Sequence, residues 1–307
     1  MSIPVMVIAG PTGVGKSAVA TELCRRFDGE IVGADSVQVY RGFDLGSAKP
    51  SPLERGQVRH HLIDVVDAHE EIDAARYAHL ADVAIADIHK RGRLPIVVGG
   101  AGLWLRALLR GLLELPPVDA GLRAQLEAEW RRLGAEALHR RLLAVDPATA
   151  THIHPNDKLR VVRALEVFAQ TGQALGVLRA EHALGSPRYR SLMWVLDLPA
   201  AHHAPCIEAR TQTMWDAGWP EEVTELLARY SPSVRPLGAV GYRELAQHIV
   251  QGGDPATTRA RIVKATLAYA KRQRTWFRSD PSVDAWMHPC EANTCARLSQ
   301  MRRQLLT

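Results

Sequence analysis

Long apolar runs are missing from this chain. Stretches such as residues 5–9 and 94–98 fall far short of the ~20 residues a membrane-spanning helix needs, so no membrane segment is expected. The first residues lack a basic region ahead of a cleavable apolar core, and a cytoplasmic location is expected. Cysteine is scarce. Cys24, Cys206, Cys290 and Cys295 include no C-x-x-C pair, which excludes a disulfide framework or zinc finger and fits a reducing compartment. Repeats and low-complexity segments are also absent. With 47% hydrophobic and 23% charged residues the composition is that of an ordinary globular chain, which excludes a disordered or fibrous class. Positive charge is in excess: the net charge is +5, and the bases gather toward the C-terminus, as expected of a protein that meets a polyanion.

The apolar pattern repeats a strand–loop–helix theme. Residues 4–9 form a short β-rich run that stops at a glycine-rich turn, and residues 17–27 carry Val19, Ala20, Leu23 and Phe27 at helical spacing. Strands are read at 30–35 and 94–99 with a helix at 74–91 between them, which implies a parallel sheet with crossover helices. After Leu115-Pro-Pro-Val118 the pattern becomes helical, at 120–143 and 157–171; residues 191–197 return to the sheet, and helices follow near 205–230, 241–250 and 255–278. The expected architecture is an α/β fold: a P-loop NTPase-like parallel sheet with flanking helices and a helical insertion domain. The core comprises 1–115 and 191–307, and 116–190 is the insertion.

The strongest local signal is Gly10-Pro-Thr-Gly-Val-Gly-Lys-Ser17, which matches G-x-x-x-x-G-K-[ST] between a strand and a helix. Gly10, Pro11, Thr12, Gly13, Val14 and Gly15 would curl so that backbone N–H groups face phosphate oxygens, and the helix dipole adds partial positive charge. Lys16 would neutralise the outer phosphates and Ser17 would ligand Mg²⁺. This motif specifies a diphosphate or triphosphate, and leaves an NTPase or small-molecule kinase open.

The stretch Asp35-Ser-Val-Gln-Val-Tyr-Arg-Gly-Phe-Asp-Leu-Gly-Ser-Ala-Lys-Pro50 resembles the tRNA dimethylallyltransferase family. So do His60-His-Leu-Ile-Asp64, Val98-Gly-Gly100, Pro155-Asn-Asp157 with Arg160 to Glu166, Gly241-Tyr242 and Ala270-Lys-Arg-Gln-Arg-Thr-Trp-Phe-Arg278, in order along nearly the whole chain. The resemblance implies that the loop holds dimethylallyl diphosphate, with diphosphate as leaving group and Mg²⁺ as cofactor, and that the acceptor is the N6 amine of the adenosine 3′ of a tRNA anticodon. That amine is a poor nucleophile because its lone pair is delocalised, so a carboxylate that takes its proton helps. Asp35, at the C-terminal end of a parallel strand, is assigned as this base. Arg210 matches a family arginine that stabilises the departing diphosphate. Gln38, beside Ser36 and Val37, is expected to read the adenine edge. The family's V-G-G-T-G-L-Y appears here with Ala101 in place of threonine, removing a hydroxyl that reaches the substrate base, and with Trp104 as a candidate pocket wall.

From Arg259 to Arg278 the chain has seven bases and no acid. On a helix Arg261, Lys264, Lys271, Arg274 and Arg278 share one side, and Ile262, Tyr269 and Trp276 repeat every seven residues on another, so one face packs and the other meets phosphate. The resemblance extends the expected RNA contacts to Arg272 and Gln273, to Leu159, Arg160, Val161, Val162 and Arg163, and to Gly238, Ala239, Val240, Gly241, Tyr242 and Arg243; Arg123 is a further candidate. The partners expected are thus tRNA, gripped at its anticodon stem-loop by the insertion, and dimethylallyl diphosphate, with the protein a monomer. Two rivals share the P-loop. A kinase would use Asp197 at the end of a strand for Mg²⁺, and an adenylate isopentenyltransferase would perform the same chemistry on a free nucleotide without needing the basic C-terminal region.

Overall fold

The computed structural model describes residues 2–113, 115–183 and 187–292. Cys295, named above, lies outside them. Two compact units emerge. The first comprises Met1–Leu109 and Arg188–Thr307, and the second Arg110–Pro187.

In the first unit the described residues form a six-stranded sheet from β1 (Pro4–Ala9), β2 (Gly29–Ala34), β3 (His60–His61), β4 (Leu94–Gly99), β5 (Arg190–Leu196) and β6 (Ala285–Met287). The order is β3-β2-β4-β1-β5-β6 and every pair is parallel. The helices, in chain order, are α1 (Lys16–Phe27), α2 (Pro52–Gln57), α3 (Ala74–Lys90), α4 (Gly102–Arg110), α5 (Ala120–Leu133), α6 (Ala135–Val145), α7 (Pro147–Ala150), α8 (Lys158–Thr171), α9 (Leu175–Ala183), α10 (Ala200–Asp216), α11 (Trp219–Arg229), α12 (Tyr242–Gln251), α13 (Pro255–Arg278) and α14 (Pro289–Ala292).

Strand alternation divides the apolar residues between two faces. Val5, Val7 and Ala9 of β1 join Val32, Val97 and Val195 in a core covered by α3 and α4, while Met6 and Ile8 join Ile31, Ile96 and Trp194 in a second core covered by α1. Because all strands run the same way, their C-terminal ends share one edge, where such sheets bind ligands. The ends of β1, β2 and β4 deliver there the glycine-rich loop, Asp35 and Gly99-Gly100.

The second unit is helical, with Leu126, Leu138, Leu142, Val161, Val162 and Leu165 in its core. Glu166 is fully buried there and is neutralised by Arg123 at 2.6 Å and Arg163 at 3.0 Å. Four residues assigned to RNA from the sequence therefore face inward: Val161 and Val162 pack, and the guanidinium groups of Arg123 and Arg163 are held by an acid the linear pattern did not pair with them. Leu159 and Arg160 remain exposed.

Several expected elements change in detail. The helix read at 120–143 is two, because Gly134 adopts φ 83°, ends α5 and starts α6. α10 begins at Ala200, ahead of Pro205, which sits inside it. β3 and β6 were not anticipated: two or three residues are too few to show a period.

At the junction between the units' chain segments, Arg188 N–H donates to the Leu109 carbonyl at 2.9 Å. Its guanidinium donates to the Leu108 carbonyl at 2.9 Å and to Asp82 at 2.6 Å.

Candidate active site

The turn between β1 and α1 is shaped by its glycines. Gly15 precedes α1 with φ 89° and no side chain caps the helix, so the first-turn N–H groups stay open to an anion. Lys16 Nζ lies within the curl, donating to the Gly10 carbonyl at 3.0 Å and the Pro11 carbonyl at 2.7 Å. Burial pushes its ammonium down to about 8, while the Asp35 carboxylate acts the other way and the Arg210 guanidinium adds to the depression. The Ser17 hydroxyl makes no hydrogen bond among the described residues.

Two cavities open on this edge of the sheet. One, of about 420 Å³, contains the glycine-rich loop: Gly13, Gly15, Lys16 and Ser17 line it, as do Gln38 and His60. The other, of about 330 Å³, has an apolar side formed by Ile207, Met214, Trp219 and Ile262, and a polar mouth with Arg243 and Arg272. Thr12, Asp35, Ser47 and Arg210 line both, so the cavities meet at these four residues.

Asp35 follows β2 directly. Its Oδ1 accepts the N–H groups of Val37 at 2.9 Å and Gln38 at 3.2 Å, a tight turn that fixes the carboxylate at the junction. Arg210 reaches the same point from α10 and donates to Thr12 Oγ1 at 3.1 Å. Burial lowers the pKa of its guanidinium, and the Asp35 charge opposes that shift. Burial, with the same carboxylate, pushes the Tyr269 phenol up to about 12. Lysine, carboxylate and guanidinium therefore act on one another in one site.

The loop after Asp35 is held at both ends. Lys49, its side chain only 1% exposed, donates to the Tyr40 carbonyl at 2.9 Å and to Asp44 and Asp64 at 2.5 and 2.6 Å. The Glu222 carboxylate accepts the N–H groups of Asp44 and Leu45 at 3.1 and 2.6 Å and the Tyr242 hydroxyl at 2.6 Å. Tyr242 is thus a buried support of this loop and Gly241 is buried against Trp219, so neither is part of the RNA surface assigned to them from the sequence; Gly238, Ala239, Val240 and Arg243 do line the second cavity. The Gln38 amide donates to the Ser47 and Ala48 carbonyls at 3.0 and 3.1 Å, so its N–H groups serve the loop, not a base edge.

Other expected residues are also relocated. Ala101, packed beside the core, lines neither cavity. Trp104 is no pocket wall either, being 5% exposed and stacked on Tyr77 at 4.4 Å. On α13, Arg261, Lys264, Lys271, Arg272 and Arg278 are exposed, and Arg272 lies over the Tyr269 ring at 5.6 Å. Arg274 departs from that face: its Nε pairs with Asp197 at 2.6 Å and its Nη2 donates to His203 Nδ1 at 2.5 Å. Gln273, 7% exposed, also turns inward.

His203 was missed from the sequence, although one signal pointed to it. His203, Ile207, Arg210, Thr211 and Met214 recur at intervals that place them on one face of α10, the face that meets the loop and the second cavity.

The family model described as IPP transferase matches residues 38–280. A tRNA dimethylallyltransferase of Anaeromyxobacter sp. strain Fw109-5 is 48% identical over 292 residues, 95% of this chain and 97% of that protein. Its counterpart in Sorangium cellulosum is 45% identical, over 89% of this chain and 87% of its own. The crystal structure of the tRNA isopentenylpyrophosphate transferase of Bacillus halodurans superimposes with a TM-score of 0.72 at 33% identity, over 98% of this chain and 95% of that one. A eukaryotic dimethylallyltransferase acting on tRNA gives 0.75 at 28% identity, over 89% of this chain and 69% of its own. With a glycine-rich loop, a carboxylate and an arginine gathered where two cavities meet, and with relatives this similar over this much of its length, the chain belongs to the IPP transferase family.

Proposed function

We propose that the protein transfers a dimethylallyl group from dimethylallyl diphosphate to the N6 amine of an adenosine in tRNA, the one 3′ of the anticodon, and releases diphosphate. The observation that carries this reading is the junction of two cavities at Thr12, Asp35, Ser47 and Arg210. A reaction that joins two large substrates needs one chamber for each and catalytic groups between them. The diphosphate lies against the open N–H groups of the loop and Lys16, and the extruded adenine enters from the side of Arg243 and Arg272.

At the junction the N6 nitrogen attacks the allylic carbon, a C–N bond forms, and the C–O bond to diphosphate breaks with its electrons going to the departing oxygen. Asp35 accepts the N6 proton. Lys16 and Arg210 stabilise the charge gathering on the leaving group, which is larger in the transition state than in the bound donor, so their contribution falls on the rate. Mg²⁺ would be held at the Ser17 hydroxyl and would supply further positive charge to the leaving group. In the second unit Leu159 and Arg160 are exposed for contact with the RNA. A kinase reading has less support, since the Asp197 carboxylate expected to bind Mg²⁺ is paired with Arg274.

The test is incubation of the protein with dimethylallyl diphosphate, Mg²⁺ and either unmodified tRNA or AMP, followed by mass analysis of the acceptor. Prenylated tRNA with AMP unchanged supports the reading. Prenylated AMP with untouched tRNA transfers the assignment to a free-nucleotide prenyltransferase, and phosphate release from ATP without prenyl transfer to a kinase.

A further inference from the structure

Thr12, the third residue of the glycine-rich loop, has three polar groups, and each is bound by a side chain from far along the sequence. Its N–H donates to Gln273 Oε1 at 2.9 Å, its carbonyl accepts from His203 Nε2 at 2.8 Å, and its hydroxyl accepts from Arg210 at 3.1 Å. The other end of the Gln273 amide donates to the Gly100 carbonyl at 3.0 Å, so one side chain ties the loop to the end of β4. The fit is close: a Cβ at position 100 would stand 2.2 Å from the Gln273 nitrogen, so a side chain there would displace the amide. His203 is 1% exposed, and its Nδ1 accepts from Arg274, itself anchored on Asp197. With Nδ1 accepting, Nε2 carries the proton given to Thr12. Burial lowers the imidazole pKa and keeps it in that neutral form.

A loop that binds an anion must leave several N–H groups unsatisfied, and within this loop the Gly10 and Pro11 carbonyls are held by Lys16, a group that must also serve the ligand. Preorganisation therefore has to come from groups that do not touch the ligand. Thr12 is where such groups converge.

We infer that Gln273 and His203 are positioning residues for the diphosphate loop, holding Thr12 so that the neighbouring N–H groups stand ready for the leaving group, and that Gln273, despite its place in a basic helix, makes no contact with tRNA. This inference rests on the donor assignment made above. It also places a donor-site function on the same short stretch of α13 as the exposed Lys271 and Arg272.

Gln273→Met preserves volume but removes both amide bonds, and His203→Leu removes the bond to the Thr12 carbonyl. His203→Gln restores a nitrogen donor near the position of Nε2. In steady-state prenyl transfer the first two variants are expected to lower kcat/KM for dimethylallyl diphosphate about tenfold, mostly through KM, since a buried polar group loses its partner. Their KM for tRNA should stay at the wild-type value while their melting temperature falls by only a few degrees, and His203→Gln should recover most of the loss. An unchanged donor KM in both, a tRNA KM that rises as much as the donor KM, or a His203→Gln variant no better than His203→Leu overturns the inference. Calorimetric binding of inorganic diphosphate to the same proteins separates the two layers. If the wild type transfers no prenyl group, the donor assignment fails, yet a weakened diphosphate affinity in the variants still supports the positioning role and an equal affinity still refutes it.

Discussion

In the proposed reaction Asp35 takes the N6 proton, and its local hydrogen bonds make that role separable from folding. Only Oδ1 accepts the N–H groups of Val37 and Gln38. The amide introduced by Asp35→Asn retains an oxygen there, so the turn should persist while the proton acceptor is lost. The expected outcome is a fall in single-turnover rate of about 10²–10⁴, with donor and tRNA affinities little changed; a near-normal rate removes Asp35 from the role. Lys16 gives a pH dependence. Its pKa in the empty site is about 8, and a bound diphosphate raises it by stabilising the ammonium. Below pH 8 the lysine is charged in both states and affinity is at its plateau. Above pH 8 binding must take up a proton, so log Kd should climb by about one per pH unit until the bound-state pKa is reached. Calorimetry from about pH 7.5 to 10 with dimethylallyl diphosphate, a monoester whose outer phosphate has lost its last proton by about pH 7, checks this, and a flat profile means that Lys16 does not face the ligand. Lys16, Asp35 and the loop glycines were legible in the sequence because their geometry is encoded within a few residues of themselves. The contacts of Gln273 and His203 were not, since their partner Thr12 lies 261 and 191 residues away.

Among the elements, α13 shows how far periodicity carries. Of the seven-residue repeat read from the sequence Ile262 is buried while Tyr269 and Trp276 are half-buried, and the buried stripe is completed by Thr258, Ala270, Gln273 and Phe277, with Lys264 and Lys271 exposed. Arg274 broke the pattern because a long side chain at the edge of the stripe can bend toward either face, and the buried-side acceptors Asp197 and His203 decide which. Charge reversal confined to Lys264 and Lys271 should therefore weaken tRNA binding without disturbing the donor site. Each lost phosphate contact lowers the slope of log K against log salt by about one unit, and the pair should lower it by about two. Filter binding across a salt series measures this; an unchanged slope places the RNA surface elsewhere. Arg274→Glu is a different experiment, since it breaks the Asp197 pair and frees His203, and its first effect should be on donor KM. The long elements were readable for a simple reason. β1, β4 and α3 are each backed by a full apolar face, whereas β3 and β6 exist only because a neighbouring strand offers them hydrogen bonds, which is a property of the assembled sheet.

For the whole molecule, the parallel α/β class followed from the alternation of apolar strands with helices, and the sheet order followed from nothing in the sequence. The two cores share no residue: the sheet's apolar clusters draw on residues up to Leu109 and from Tyr189 onward, and the helical unit's cluster on residues between Leu113 and Leu178. The chain leaves the sheet unit at Leu109 and re-enters it at Arg188, and these two residues are hydrogen-bonded to each other at 2.9 Å. Within the sheet unit the chain is thus hydrogen-bonded across the point where residues 110–187 leave and return. Residues 110–187 could be cut out and the ends joined by about four glycines, a closure whose entropic cost is small because the ends already touch. The excised protein is expected to melt cooperatively and to bind inorganic diphosphate with wild-type affinity while failing to prenylate tRNA; loss of diphosphate binding would show instead that the two units fold as one.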